Sequence, residues 1–418
     1  MVNDRIIICG LILTMDPAQP MIRDGAVIVR NDTITWVGRA DDLGGTIVAR
    51  VMNRPKALMM PGLVNCHTHL PMALFRGLAD DLPLDRWLNE HMFPAEAAWI
   101  NPVSARQWAL HSCREQLLSG VTTCCDGYFH EDAVAEAARE SGIRAVLAQG
   151  IIDFPAPGVP DPTGNIDHAV AFAERWLGRD CRIRPSLFCH SPYTCSGKTL
   201  KRAKQAARSL GVLFQIHAAE TRNEKSLIPG NTGLSPVAYL DSLGILDSDT
   251  LLVHCVWVDE NDRNILKGTG AAVVHCPESN MKLASGIAPA PDLIRDGVRV
   301  GLGTDGSASN NNLDLFQEMN SASLLQKAAV PTARSMDDCS FVHMATLEGA
   351  RALGMDETIG SITPGKKADI ILVNMDQPHL VPMSDPWTAL VHWVKGGDVM
   401  EVFVDGIHRV SRGRLIPG

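Results

Sequence analysis

The stretch PGLVNCHTHL, residues 61–70, runs from a Pro-Gly turn through an apolar segment to His67 and His69, with Thr68 between them. Side chains two apart on a β-strand point the same way, so both imidazoles converge at one strand end. Alone, the pair is as readily a polar strand terminus as two metal ligands. Its surroundings decide. Short β-branched apolar runs recur along the middle of the chain: VTTCCDG (121–127), AVLAQGI (145–151), RPSLFCH (184–190), GVLFQIH (211–217), TLLVHC (250–255), AAVVHC (271–276) and VRVGLGTD (298–305). Helix-like stretches separate most of them, such as residues 102–120, 131–142 and 197–211, which stop at Gly120, Gly142 and Gly211. Strands alternating with helices predict a parallel sheet, and eight such units predict an α/β fold of the (β/α)8 TIM-type barrel class. A doubly wound open sheet is the alternative, but its glycine-rich nucleotide fingerprint is missing.

The two ends differ from this middle. RIIICGLILTM and GAVIVRNDTITWVG read as short strands around the Asn31-Asp32 turn, and ADIILVNMD (368–376) and DVMEVFVDGIHRVSRGRLI have the same texture around Asp405-Gly406. The termini are therefore expected to meet in one small β-sandwich, built from residues 1–57 and 361–418 around a barrel of residues 58–360. A chain of 418 residues suits one large and one small domain.

Charge and cysteine usage narrow the function. With 38 basic and 47 acidic residues the net charge is −9 and no basic run occurs, which argues against nucleic acid or a membrane surface as partner. Eleven scattered cysteines without a C-x-x-C pattern predict a reduced, cytoplasmic chain. IIICGLIL (6–13) lacks a cationic leader and a cleavage site and reads as a strand, and no apolar run reaches the roughly 18–20 residues of a membrane span.

Active sites of such barrels lie at the C-terminal strand ends. His67 and His69 end the first expected strand, His190 the fourth, His217 the fifth, His254 the sixth, His275 the seventh and Asp305 the eighth. Each alone has a bland explanation in strand-end hydrogen bonding or turn formation. Their joint placement favours a divalent metal held by neutral imidazoles and a carboxylate, with a position left for water. Glu220, three residues past His217 in HAAET, is placed to move a proton, whereas a solvent-facing loop glutamate is the plain reading.

PGLVNCHTHLPMALFRGLADDLPLDRWL, FQIHAAET, LLVHCVW, HCPESNMKLASGIAP, LGTDGSASNNNLD and the C-terminal SITPGKKADIILVN together resemble the amidohydrolase superfamily. Within it they look like the 5-methylthioadenosine/S-adenosylhomocysteine deaminases and their chlorohydrolase-like relatives. The resemblance implies metal ligands at His67, His69, His217 and Asp305, and a proton shuttle at Glu220. It implies that His254 orients the attacking water or stabilises charge, and that Asp305 doubles as a base. Glu96, in MFPAEAAW, matches a glutamate that holds ribose hydroxyls, and His190 a substrate-contacting histidine. Ser279, Asn280 and Met281 match a loop that closes over the ligand.

Two-metal members carry a bridging lysine at the end of strand four. Here Cys189-His190 stands there and the next lysine is Lys198, so one divalent metal ion per subunit is expected, with zinc the default. The implied reaction is hydrolytic deamination of a 5′-substituted adenosine by a homodimer or homotetramer. Gln149, where an arginine would serve a homocysteine carboxylate, and the proline-rich 154–164 loop favour neutral 5′ substituents over S-adenosylhomocysteine, while Arg144 is expected to face away. The rival readings are a hydrolase removing halide or amine from an s-triazine, and a metal-free scaffold. Retention of all four expected ligands argues against the scaffold.

Overall fold

The computed structural model describes residues 4–44, 49–228, 233–329 and 336–416. Four strands come first: β1 (Arg5–Leu13), β2 (Met21–Arg30), β3 (Thr33–Arg39) and β4 (Arg50–Pro61). Then follow β5 (Leu63–Thr68), β6 (Val121–Tyr128), β7 (Arg144–Ile151), β8 (Ile183–Pro185), β9 (Leu187–Cys189), β10 (Phe214–Ala218), β11 (Thr250–His254), β12 (Ala272–His275) and β13 (Val300–Leu302). The chain ends with β14 (Ile370–Asn374), β15 (Val399–Val404), β16 (Ile407–Ser411) and β17 (Arg414–Leu415).

Strands β5, β6, β7, β9, β10, β11, β12 and β13 pair side by side and in parallel. Each is buried on both faces, as a sheet covered by helices outside and filled inside must be. The sequence PGLVNCHTHL supplies the seam where the last strand returns to the first. Asn65 donates to Thr304 Oγ1 at 2.9 Å and accepts from the Thr304 amide at 3.0 Å, and the Asp305 amide donates to the His67 carbonyl at 3.0 Å. The backbones approach so closely here that a Cβ on Gly303 would lie 2.9 Å from the His67 nitrogen. The result is the expected TIM-type barrel. The three helices expected between its strands run over Pro102–Leu118, Glu131–Ser141 and Gly197–Leu210.

The chain ends do meet. They form one continuous eight-stranded sheet ordered β17-β16-β15-β14-β4-β1-β2-β3, in which C-terminal β14 pairs antiparallel with N-terminal β4. Its inner face buries Ile7, Ile12, Val27, Ile34, Ile370 and Phe403 in a cluster of their own. The turns at Asn31-Asp32 and Asp405-Gly406 fall between paired strands, as read from the sequence. Long β4 carries the small sheet as far as Pro61, paired with Ile370, and leads directly into β5.

Candidate active site

Strand-end geometry brings the expected residues together. His67 Nε2 and His217 Nε2 face each other at 3.1 Å, and one ring nitrogen from each of His67, His69 and His217 lies within 4.8 Å of the others. Asp305 Oδ1 sits 3.4 Å from His67 Nε2 and 3.3 Å from His69 Nε2. The Gly127 carbonyl lies 2.7 Å from His69 Nδ1 and takes that proton, which leaves the Nε2 lone pair facing the cluster. Burial holds His67 neutral down to about pH 4 and keeps His69 and His217 below their ordinary range as well. Burial alone would raise Asp305, but the neighbouring imidazoles outweigh it and hold the carboxyl well below the usual range. Neutral imidazoles with converging lone pairs and an ionised carboxylate fit a divalent cation.

Glu220 is buried beside this cluster, with Oε2 3.7 Å from His254 Nε2, and Oε1 accepts from Ser285 Oγ at 3.1 Å. Burial, reinforced by Asp305, raises its carboxyl above the ordinary value, as a proton carrier needs. Ala219, His254, Cys255 and Asp305 all take left-handed backbone conformations, with φ of 55°, 76°, 45° and 60°. Such conformations are costly for residues with a Cβ and cluster where a site dictates side-chain direction.

These groups open into a chamber of about 720 Å³, including space continuous with solvent, within the usual range for small-molecule pockets. Glu96 lines it from the helix Phe93–Trp99, buried rather than exposed, and accepts from Tyr128 Oη at 2.6 Å. Burial pushes its carboxyl up to about 7. His190 also lines the chamber, with Nδ1 3.0 Å from Thr194 Oγ1, and burial lowers its pKa to about 3. His275 is buried and does not line the chamber, so the seventh strand contributes no imidazole there.

Two expectations need correction. Ser279, Asn280 and Met281 form no loop over the ligand. They lie in the helix Pro277–Lys282, where Ser279 Oγ donates to Asp305 Oδ2 at 2.7 Å and Asn280 Oδ1 lies 2.9 Å from His254 Nδ1. Only Met281 is exposed, so the Ser-Asn pair supports the site from beneath. Gln149 does not face the chamber either. Its Oε1 accepts from the Glu131 amide, and its side chain lines a separate outer cavity with His130, His168 and Arg175. Arg144 faces away, held by Asp369 and Asp405 under the barrel.

Sequence reasoning missed the groups that fix this geometry. Glu224 accepts from three successive amides, those of Ala219 at 2.7 Å, Glu220 at 2.6 Å and Thr221 at 3.1 Å. Asp126 accepts from the Leu70 amide at 2.5 Å, just past His69. The four-residue step from Glu220 to Glu224 was the available signal.

Comparison with known proteins agrees with this arrangement. The profile of the amidohydrolase family matches residues 58–407. The chain is 41% identical to 5-methylthioadenosine/S-adenosylhomocysteine deaminase 1 of Syntrophus aciditrophicus, over 96% of this chain and 91% of that one. It is 43% identical to the 5′-deoxyadenosine deaminase of Methanothermobacter thermautotrophicus, over 99% of this chain and 95% of that one. An adenosine deaminase structure from Xanthomonas campestris, with bound zinc, superposes with a TM-score of 0.96 at 36% identity, covering 100% of this chain and 95% of that one.

Proposed function

The chain belongs to the amidohydrolase family, and from that premise we propose that it is a metal-dependent hydrolytic deaminase of 5′-substituted adenosines. Water and the nucleoside would give the inosine analogue and ammonia, with 5′-methylthioadenosine and 5′-deoxyadenosine as substrates. The carrying observation is one chamber lined together by His69 and His217 of the imidazole cluster, buried Glu220 and buried Glu96. Its relatives named as deaminases of such nucleosides support the same substrate class.

His67, His69, His217 and Asp305 would hold one zinc ion per subunit, which when bound supplies a water acidified towards neutrality. Glu220 protonates the purine ring nitrogen and makes the amino-bearing carbon more electrophilic. Asp305, anchored by Ser279 and the Gly306 amide, takes up the proton released as the new C–O bond forms and passes it to the amino group, which leaves as ammonia when the C–N bond breaks. His254, its ring fixed by Asn280, stabilises the charge that develops at the attacked carbon. Glu96 accepts from the vicinal ribose hydroxyls and His190 contacts the substrate. The family resemblance carries a homo-oligomeric state, and eleven unpaired cysteines support a cytoplasmic setting.

A panel assay for ammonia release tests this reading. Methylthioadenosine, S-adenosylhomocysteine, 5′-deoxyadenosine, adenosine, guanine and an s-triazine are offered to the zinc-loaded protein. Turnover of a 5′-substituted adenosine is the expected result. Turnover confined to guanine or the triazine would sink it, and no bound metal with no turnover would favour the scaffold.

A further inference from the structure

We propose that Trp257 is a positioning residue for the proton carrier: acting through Ser285, it fixes the direction in which the Glu220 carboxyl faces the chamber. The inference rests on the deaminase reading, which gives the proton transfer to Glu220, and adds the device that aims it. Glu224 clamps backbone amides and leaves the Glu220 side chain free to turn about its own bonds. The Ser285 hydroxyl stops that turn. It donates to Glu220 Oε1 at 3.1 Å and leaves Oε2 on the side of His254, 3.7 Å from Nε2.

Ser285 must itself be held. It follows the helix Pro277–Lys282 in a stretch without regular structure, between Ala284 at φ 53° and Gly286 at φ 127°. Its amide donates to the Asn280 carbonyl at 2.8 Å, and its carbonyl accepts from the Trp257 indole at 2.7 Å. The Trp257 amide in turn donates to the Ala219 carbonyl at 2.8 Å. One residue therefore ties the loop that carries Glu220 to the stretch that carries Ser285. The ring stands close against that stretch, since a Cβ on Gly286 would lie 3.2 Å from indole Cζ2. Arg222, two residues past Glu220, lays its guanidinium over the indole, 4.2 Å from the ring centre. Trp257, Arg222 and Ser285 line an outer cavity while Glu220 lines the chamber, so the pin acts through the wall between them. A tryptophan 39% exposed buries little for the core, and its hydrogen bonds are the part of it that reaches the site.

A double-mutant cycle with the zinc-loaded protein and 5′-methylthioadenosine tests this. Ser285→Ala should lower kcat about tenfold to 100-fold, the scale of one hydrogen bond to a charged group, with KM within about threefold of the parent. Trp257→Phe keeps a ring and removes the indole N–H, and should lower kcat about tenfold. In the Ser285→Ala background the same change should cost less than about threefold, because the hydroxyl it positions is gone. Amide hydrogen exchange gives a readout without turnover: over residues 283–287 it should quicken in Trp257→Phe and not in Ser285→Ala. Arg222→Ala, an exposed change, should lower kcat about threefold in the parent and leave Ser285→Ala unaltered. Equal losses from Trp257→Phe in both backgrounds overturn the proposal, because Trp257 would then serve packing alone. So does a folded Trp257→Phe with the parent's kcat, or with the parent's exchange over 283–287. Should Trp257→Phe fail to fold, an unchanged kcat in Arg222→Ala overturns it instead. No ammonia from any nucleoside in the parent overturns the deaminase reading and this inference with it, whereas additive losses in an active parent overturn this inference alone.

Discussion

Among the described residues Glu220 has a single hydrogen-bonding side-chain partner, Ser285, so exchanging its acid for an amide is a narrow change. Glu220→Gln should retain zinc and lose turnover by about 10²–10⁴-fold, the range of general acid–base contributions; near-normal deamination would remove Glu220 from the mechanism. Glu96 gives a second prediction, with opposite signs for stability and binding. Its carboxyl ordinarily titrates at 4.5 and is raised by burial to about 7, so the fold favours the protonated form. That stability is complete below pH 4.5 and is lost as pH rises through about 7, amounting to at most about 3 kcal/mol. On the proposed assignment binding runs the other way, because an ionised carboxylate would accept from both ribose hydroxyls. KM for 5′-deoxyadenosine should fall as pH rises through about 7, while Glu96→Gln should flatten both profiles and raise KM. Urea midpoints and KM values measured from pH 5 to 8 check both, and parallel slopes in the variant and the parent would refute the assignment. The strand-end residues were legible because a two-residue period and an apolar run specify both place and direction. Burial of Glu96 was not, since it depends on Tyr128, which is 32 residues away.

Short supporting elements hold the reacting groups still. The helix Glu224–Leu227 places one buried carboxylate on three consecutive amides and thereby fixes the backbone that carries Glu220. Glu224→Gln puts an amide NH2 among those donors. It should lower kcat by about 10²-fold, the scale of a misplacement near 1 Å, while zinc content stays at one per subunit because His217 precedes the loop. Loss of zinc in step with activity would show that the clamp serves the whole strand end instead. The helix Pro277–Lys282 supports Asp305 through Ser279, and Ser279→Ala should weaken zinc binding about tenfold to 100-fold, read by competition with a chelator. Long helices with glycine stops were readable from the sequence. This six-residue helix was not, because Ser-Asn reads as a turn whenever its tertiary partners are unknown.

At the scale of the molecule, the alternation of runs and helices predicted the barrel, and the matching texture of the two ends predicted their meeting. How the small sheet is fastened beneath the barrel depends on a pairing of residues more than 200 positions apart, which no local pattern records. Arg144 opens β7 and reaches Asp369 with Nε at 2.9 Å and Nη2 at 3.0 Å, and also pairs with Asp405. All three are buried, and Asp405 sits in the turn between β15 and β16. Arg144→Met removes the guanidinium that directly bridges two buried carboxylates, with Lys367 and Arg409 as the remaining charges near Asp405, a change worth about 3–5 kcal/mol when a buried pair is broken. The urea midpoint should fall accordingly. Kinetic constants of the remaining folded protein should hold, because Arg144 stands at the opposite end of β7 from the chamber. Adding Asp369→Asn and Asp405→Asn removes the stranded charges and should recover most of the loss. If the triple variant is no more stable than Arg144→Met alone, the triad contributes by shape rather than charge, and packing of β14 against β4 must carry the attachment instead.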